Sequence, residues 1–267
     1  MSSDPLTLVI VGYLAMVLFM AGLWAVQLFV RNASIADVGF CLGLMAVVSW
    51  YAQEASGETE RKLVVLLLAF LYAGRLGAFL LVNRVLGKEE DARYQELRRS
   101  WGGRERVNMF GYFQLQAAAV SAFSLPFLVV MQQPRPPFGL WELAGVVIWV
   151  GAVSGEATAD WQLSRFRSRP WNRGRVCREG LWYCSRHPNY FFEWLHWWSY
   201  VVMAVGAPGW PLTLIGPVGM GWALLSVTGI PWAERQALRT RGEDYREYQE
   251  TTNAFVPWWP KPPVSRH

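Results

Sequence analysis

Seven times along this chain an apolar run reaches or approaches the length needed to cross a bilayer, about 20 residues. The runs cover 6–30, 35–52, 63–86, 110–131, 138–163, 189–205 and 210–230. Hydrocarbon offers no water to satisfy a backbone, so a run of this length has to bond to itself as a helix or close into a barrel. Unbroken apolar runs suit helices. The reading is therefore all-α: a polytopic membrane protein with seven transmembrane helices in one bundle, one domain over 1–267, and a cytoplasmic tail over 231–267. Nothing linker-like divides the chain, and no internal repeat is visible.

Charge fits this reading. Only 17% of the 267 residues are charged, against about a quarter in soluble domains. The net charge of +5 sits in loops between apolar runs, so membrane topology accounts for it and a nucleic-acid partner is not required. The loop after the third run carries Lys88, Arg93, Arg98, Arg99, Arg104 and Arg106. The loop after the fifth carries Arg165, Arg167, Arg169, Arg173, Arg175, Arg178 and Arg186. The tail adds Arg235, Arg239, Arg241, Arg246, Lys261 and Arg266, while the opposite side has Arg61, Lys62 and Arg135. The positive-inside rule then sets the N-terminus outside and the C-terminus in the cytoplasm, in a bacterial inner membrane or the endoplasmic reticulum. The first run lacks a cationic n-region and is expected to stay as a helix. The tail mixes charge with aromatics and is expected to form a short helix on the cytoplasmic mouth.

Cys41, Cys177 and Cys184 form no CxxC pair, so no disulfide framework is expected. His187, His196 and His267 are too scattered for a metal site. The glycines from Gly216 to Gly221 lie in an apolar run without a preceding strand, and serve close helix packing better than dinucleotide binding.

Polar groups at membrane depth are costly and mark function. Gln53-Glu54 close the second run, either as a site or as a polar helix end beside Glu58 and Glu60. Tyr72, Arg75 and Asn83, at spacings of three and eleven, fall on nearly one helical face spanning roughly 16 Å. The arginine on that face has to pair with a carboxylate or meet water. Glu156, Asp160 and Arg167 share a face of the fifth run. Glu142 and His196 stand alone and suit structural roles. The stretch from Arg186 to Trp194 joins the basic loop to an apolar helix whose first turn takes Pro188, with Asn189 and Glu193 four residues apart on one face. Guanidinium groups above a helix start form a place for anionic phosphates.

Taken in order, Gln53-Glu54, Tyr72-x-x-Arg75 with Asn83, Asp160 followed by Arg167, Gly180-Leu181-Trp182 leading to Asn189-Tyr190-x-x-Glu193, and Tyr248 before Ala254-Phe255-Val256-Pro257 resemble the membrane steroid 5-alpha-reductase family. The stretch from Arg186 to Tyr190 is more like its bacterial branch, and is shared with sterol C14-reductases and isoprenylcysteine carboxyl methyltransferases. The resemblance implies a seven-helix bundle with NADPH in a cytoplasm-facing cavity and a lipid-like enone beyond it. The family's carbonyl-binding glutamate falls on Glu54, with Gln53 beside it and the tyrosine on Tyr72. Cofactor contacts fall on Asn83, Asp160, Arg167, Arg175, Asn189, Glu193 and Tyr245 or Tyr248, with Arg75 and His187 counted among them. Two departures stand out: Glu156 replaces an asparagine, and the segment from Trp232 to Arg235 replaces a histidine cluster.

The implied reaction is reduction of the C=C bond of a 3-oxo-Δ4 steroid or similar conjugated ketone. Glu54, kept protonated by desolvation, and Tyr72 would donate to the carbonyl oxygen. The implied partners are that lipid-like substrate and membrane lipids, with no obligate protein partner evident. An S-adenosylmethionine-dependent isoprenoid or lipid methyltransferase and a non-enzymatic sterol-binding membrane protein remain as other readings.

Overall fold

The computed structural model describes residues 4–134, 136, 138–227 and 229–262. Arg135, Arg266 and His267, used above in the charge and histidine readings, lie outside the described residues. Every regular element among those described is helical. In order these are α1 (Pro5–Val30), α2 (Ile35–Glu54), α3 (Thr59–Leu80), α4 (Ala92–Trp101), α5 (Glu105–Met131), α6 (Leu140–Ser168), α7 (Leu181–Cys184), α8 (Pro188–Met203), α9 (Ile215–Trp222), α10 (Ile230–Arg241) and α11 (Glu243–Thr251). Short 3-10 and π turns join some of them. Six helical stretches are long and apolar enough to cross a membrane, and the chain is a multi-pass membrane protein on that ground.

The expected sixth span, 189–205, is the one that falls short. It forms α8, 16 residues long and so about 24 Å, against about 30 Å of hydrocarbon. The tail also differs from expectation. It forms two helices, α10 and α11, and then an extended segment whose Trp258 N donates to Cys184 O at 2.9 Å.

The chain divides into two compact units. The first comprises Met1–Gly139 with Ala204–Ile215, and the second Leu140–Met203 with Gly216–His267. In the first, α1, α2, α3 and α5 pack together around Leu44, Val48, Phe113 and Phe127, all buried. α1 starts sharply because Asp4 accepts from Thr7 N and Pro5 takes the first turn. A short turn reverses the chain between α2 and α3. Their register is fixed where a Cβ added at Gly77 would meet Cys41 Cβ at 3.1 Å, a close approach only a small residue permits.

In the second unit α8 runs antiparallel along α6. Asn189 Nδ2 donates to Asp160 Oδ1; further along, a Cβ at Gly155 would meet the Phe192 ring, and one at Gly145 would meet Met203. These contacts keep one register from the arginine-rich end of α6 to within five residues of its start. Pro188 opens α8, as the first-turn rule for proline requires. Gly216 lies against the Trp197 ring, which agrees with the packing role read for the glycine-rich run.

Candidate functional site

In the second unit the basic loop is folded, not trailing. After α6, Asn172 is buried and its Nδ2 donates to Phe166 O at 2.9 Å. Gly174 takes a positive φ of 80° to turn the chain. Val176 N then donates to Asp244 Oδ2 at 2.9 Å, tying the loop to α11. This loop lines an open cavity of about 440 Å³ with five guanidinium groups on its wall, those of Arg167, Arg169, Arg173, Arg175 and Arg241, and no carboxylate among the described residues that line it. Leu163, Phe166 and Cys177 give it an apolar side. Burial pushes the Cys177 thiol up, which keeps it neutral. Of the cavity arginines, Arg169 faces Glu179 at 3.4 Å, and Arg241 Nε donates to Arg175 O at 3.1 Å. Such a wall suits a phosphate-bearing anion. Arg167 and Arg175, named from sequence, are brought together here. Arg241 was missed as a site residue, because it ends α10 some 66 residues beyond Arg175 and no local motif marks it.

Asp160 and Asn189 also meet, at 3.2 Å. The Asn189 amide is held by that bond, and its Oδ1 is shut from solvent without a hydrogen-bond partner among the described residues. One turn on, Glu193 is buried and Oε1 accepts from Trp197 Nε1 at 3.3 Å. His196 is fully buried, 3.2 Å from the Tyr200 hydroxyl.

Arg186 and His187 are placed by the tail. Arg186 pairs with Glu234 at 2.6 Å, donates to the carbonyls of Gln249 and Thr252, and its backbone N reaches Asn253 O. Gln249 closes the ring through Nε2 to Glu234 Oε2 at 2.8 Å. Glu234 is thus the centre of a clamp. His187 lies 3.4 Å from Glu234 Oε1 and stacks on Tyr190. Burial lowers its pKa, and the Glu234 hydrogen bond only partly offsets this. The Tyr248 hydroxyl reaches Trp182 O and Ser185 O, so it holds the loop in place. Tyr245 packs beside it, with ring centroids 5.9 Å apart. Burial pushes both phenols well above their ordinary range.

In the first unit Gln53 is exposed, and its Nε2 donates to Ser49 O of its own helix at 3.3 Å. Glu54 is half-buried at the last residue of α2. Tyr72 is almost fully buried and Arg75 half-buried. Asn83 leaves the face it was expected to share. α3 gives way to a π turn at Leu81–Val85, whose wider turn advances the chain differently from the 3.6-residue helix. Asn83 is exposed there and bonds back to Phe79 O. The Gly77–Cys41 register sets Tyr72 level with Ala46 on α2, eight residues or about 12 Å from Glu54 along the axis. Helical side chains incline toward their own N-terminus, which on this antiparallel pair shortens the axial offset between Glu54 and Tyr72 and leaves them on separate levels.

A family model described as a protein of unknown function, DUF1295, matches residues 23–252. The chain belongs to the DUF1295 family. The match takes in the α2–α3 pair and the arginine-lined cavity of this DUF1295 protein. No curated protein and no solved structure matched the chain.

Proposed function

We propose that this DUF1295 protein is an NADPH-dependent reductase acting on the C=C bond of a 3-oxo-Δ4 steroid or a similar enone lipid. The observation that carries the reading is the carboxylate-free, five-arginine cavity of the second unit. The family is also associated with steroid 5-alpha-reductase-like membrane proteins. NADPH fits the residues present: Arg167, Arg175 and Arg241 would hold its phosphates, and the Asn189 Oδ1 acceptor without a partner offers a place for a donor group on it. Bound NADPH supplies the hydride. The protein's own part is to hold and polarise the enone. Tyr72 and Glu54 donate hydrogen bonds to the carbonyl oxygen as negative charge builds there, and such preorganised donors stabilise the transition state. The apolar helices suit a substrate arriving from lipid.

The methyltransferase reading fits less well. S-adenosylmethionine bears a cationic sulfonium, which five guanidinium groups repel, and it has no phosphate for them to bind. Calorimetry with both ligands tests the choice. NADPH is expected to bind with an affinity that falls as salt rises, and binding of S-adenosylmethionine without NADPH would overturn the reductase reading.

Seven crossings remain the proposed topology, because α8 keeps step with α6 over most of its length. The N-terminus lies outside and the C-terminus in the cytoplasm. A cytoplasm-active reporter fused to the C-terminus should be active, and activity confined to an extracytoplasmic reporter there would refute this orientation.

A further inference from the structure

A second cavity, of about 580 Å³, opens in the first unit where α1 ends beside the start of α5. Its charges are unevenly matched. Glu90 and Glu105 are both engaged by Arg98, which also donates to Gln27 Oε1 at 2.8 Å. Arg31 and Arg106 line the same cavity. Both are exposed, and neither guanidinium makes an ion pair or hydrogen bond among the described residues. Gln27 itself is buried, and its Nε2 has no acceptor among the described residues. Donors without acceptors therefore gather at one place, and the complement is an anionic oxygen cluster.

The rest of the wall says what carries that anion. Phe29, 86% exposed, and Leu28 belong to the last turn of a membrane-length helix and line the cavity with Arg31. Trp24, one turn earlier, donates Nε1 to Arg106 O at 3.3 Å and packs edge-on against Phe110, the position of an interfacial tryptophan. A soluble phosphate would satisfy the arginines and leave the apolar rim bare. We infer that this cavity binds the headgroup of an anionic phospholipid, with its phosphate on Arg31 and Arg106 and its acyl chain along Leu28 and Phe29.

The test uses the full-length protein, delipidated in detergent and then offered phosphatidylglycerol, phosphatidylcholine or inorganic phosphate, with bound lipid counted by native mass spectrometry. Phosphatidylglycerol should be retained in preference to phosphatidylcholine. Arg31→Asn, which tolerates the left-handed backbone at φ 50°, and Arg106→Gln should each weaken retention about fivefold, and together about twenty-five-fold. Arg99→Gln, on an exposed arginine outside the cavity, should change nothing. Equal retention of phosphatidylcholine, undiminished retention in both variants, or displacement by millimolar inorganic phosphate would each overturn the proposal. Should the double variant not fold, the two single variants carry the same decision.

Discussion

Tyr72→Phe is expected to slow enone reduction by about 10²–10³, the usual loss when one donor to a developing oxyanion is removed. Tyr72 is 1% exposed, and phenylalanine keeps its ring and packing, so the hydroxyl alone is tested. Glu54→Ala should cost a similar factor, and Glu54→Gln less, because the amide still donates. NADPH binding should stay the same in all three. The 12 Å axial offset between the two residues makes the paired variant informative. If both groups hold one carbonyl oxygen, the combined loss is smaller than the product of the single losses, as coupled neighbours require. Wild-type turnover in Tyr72→Phe and Glu54→Ala would remove both residues from the mechanism. Glu54 would then be a polar helix end like Gln53, whose side chain bonds to its own helix.

The second large effect is expected at the arginine-lined cavity. Arg167→Ala or Arg175→Ala should weaken NADPH binding by about 1.5–3 kcal/mol, the range for a lost charged hydrogen bond, with the lower end favoured because both side chains are exposed. Arg241→Ala should act similarly and in addition loosen the Arg175 backbone that it bonds. The comparison with NADH identifies the arginine at the 2′-phosphate, since its loss weakens NADPH alone. Unchanged affinity in all three variants would move the phosphates elsewhere.

Much of the fold was legible because apolar length and helical period are local properties. α1, α2, α3, α5 and α6 follow the apolar runs, and Pro188 marks the start of α8. The errors occurred where local rules give way. A 3.6-residue period placed Asn83 on the face of Tyr72, and a π turn took it away. α8 is too short for a span by length, although it packs along α6 from Asp160 to Gly145. For the site, Arg167 and Arg175 were readable because they lie eight positions apart in one basic stretch. Arg241 and Glu234 were not, because each acquires its role through a contact across roughly fifty to sixty-six positions, and a single sequence carries no signal for such a meeting.

The Glu234 clamp also sets a timetable. Arg186 is emitted early, but its partners at Gln249, Thr252 and Asn253 leave the ribosome more than sixty residues later. Through most of that synthesis the arginine loop lacks its contacts with Arg241 and Asp244, and α6 and α8 are already made. Pairings this distant in sequence are slow to form. A nascent chain therefore completes the surroundings of its arginine-lined cavity last, after the apolar helices that carry it have been made.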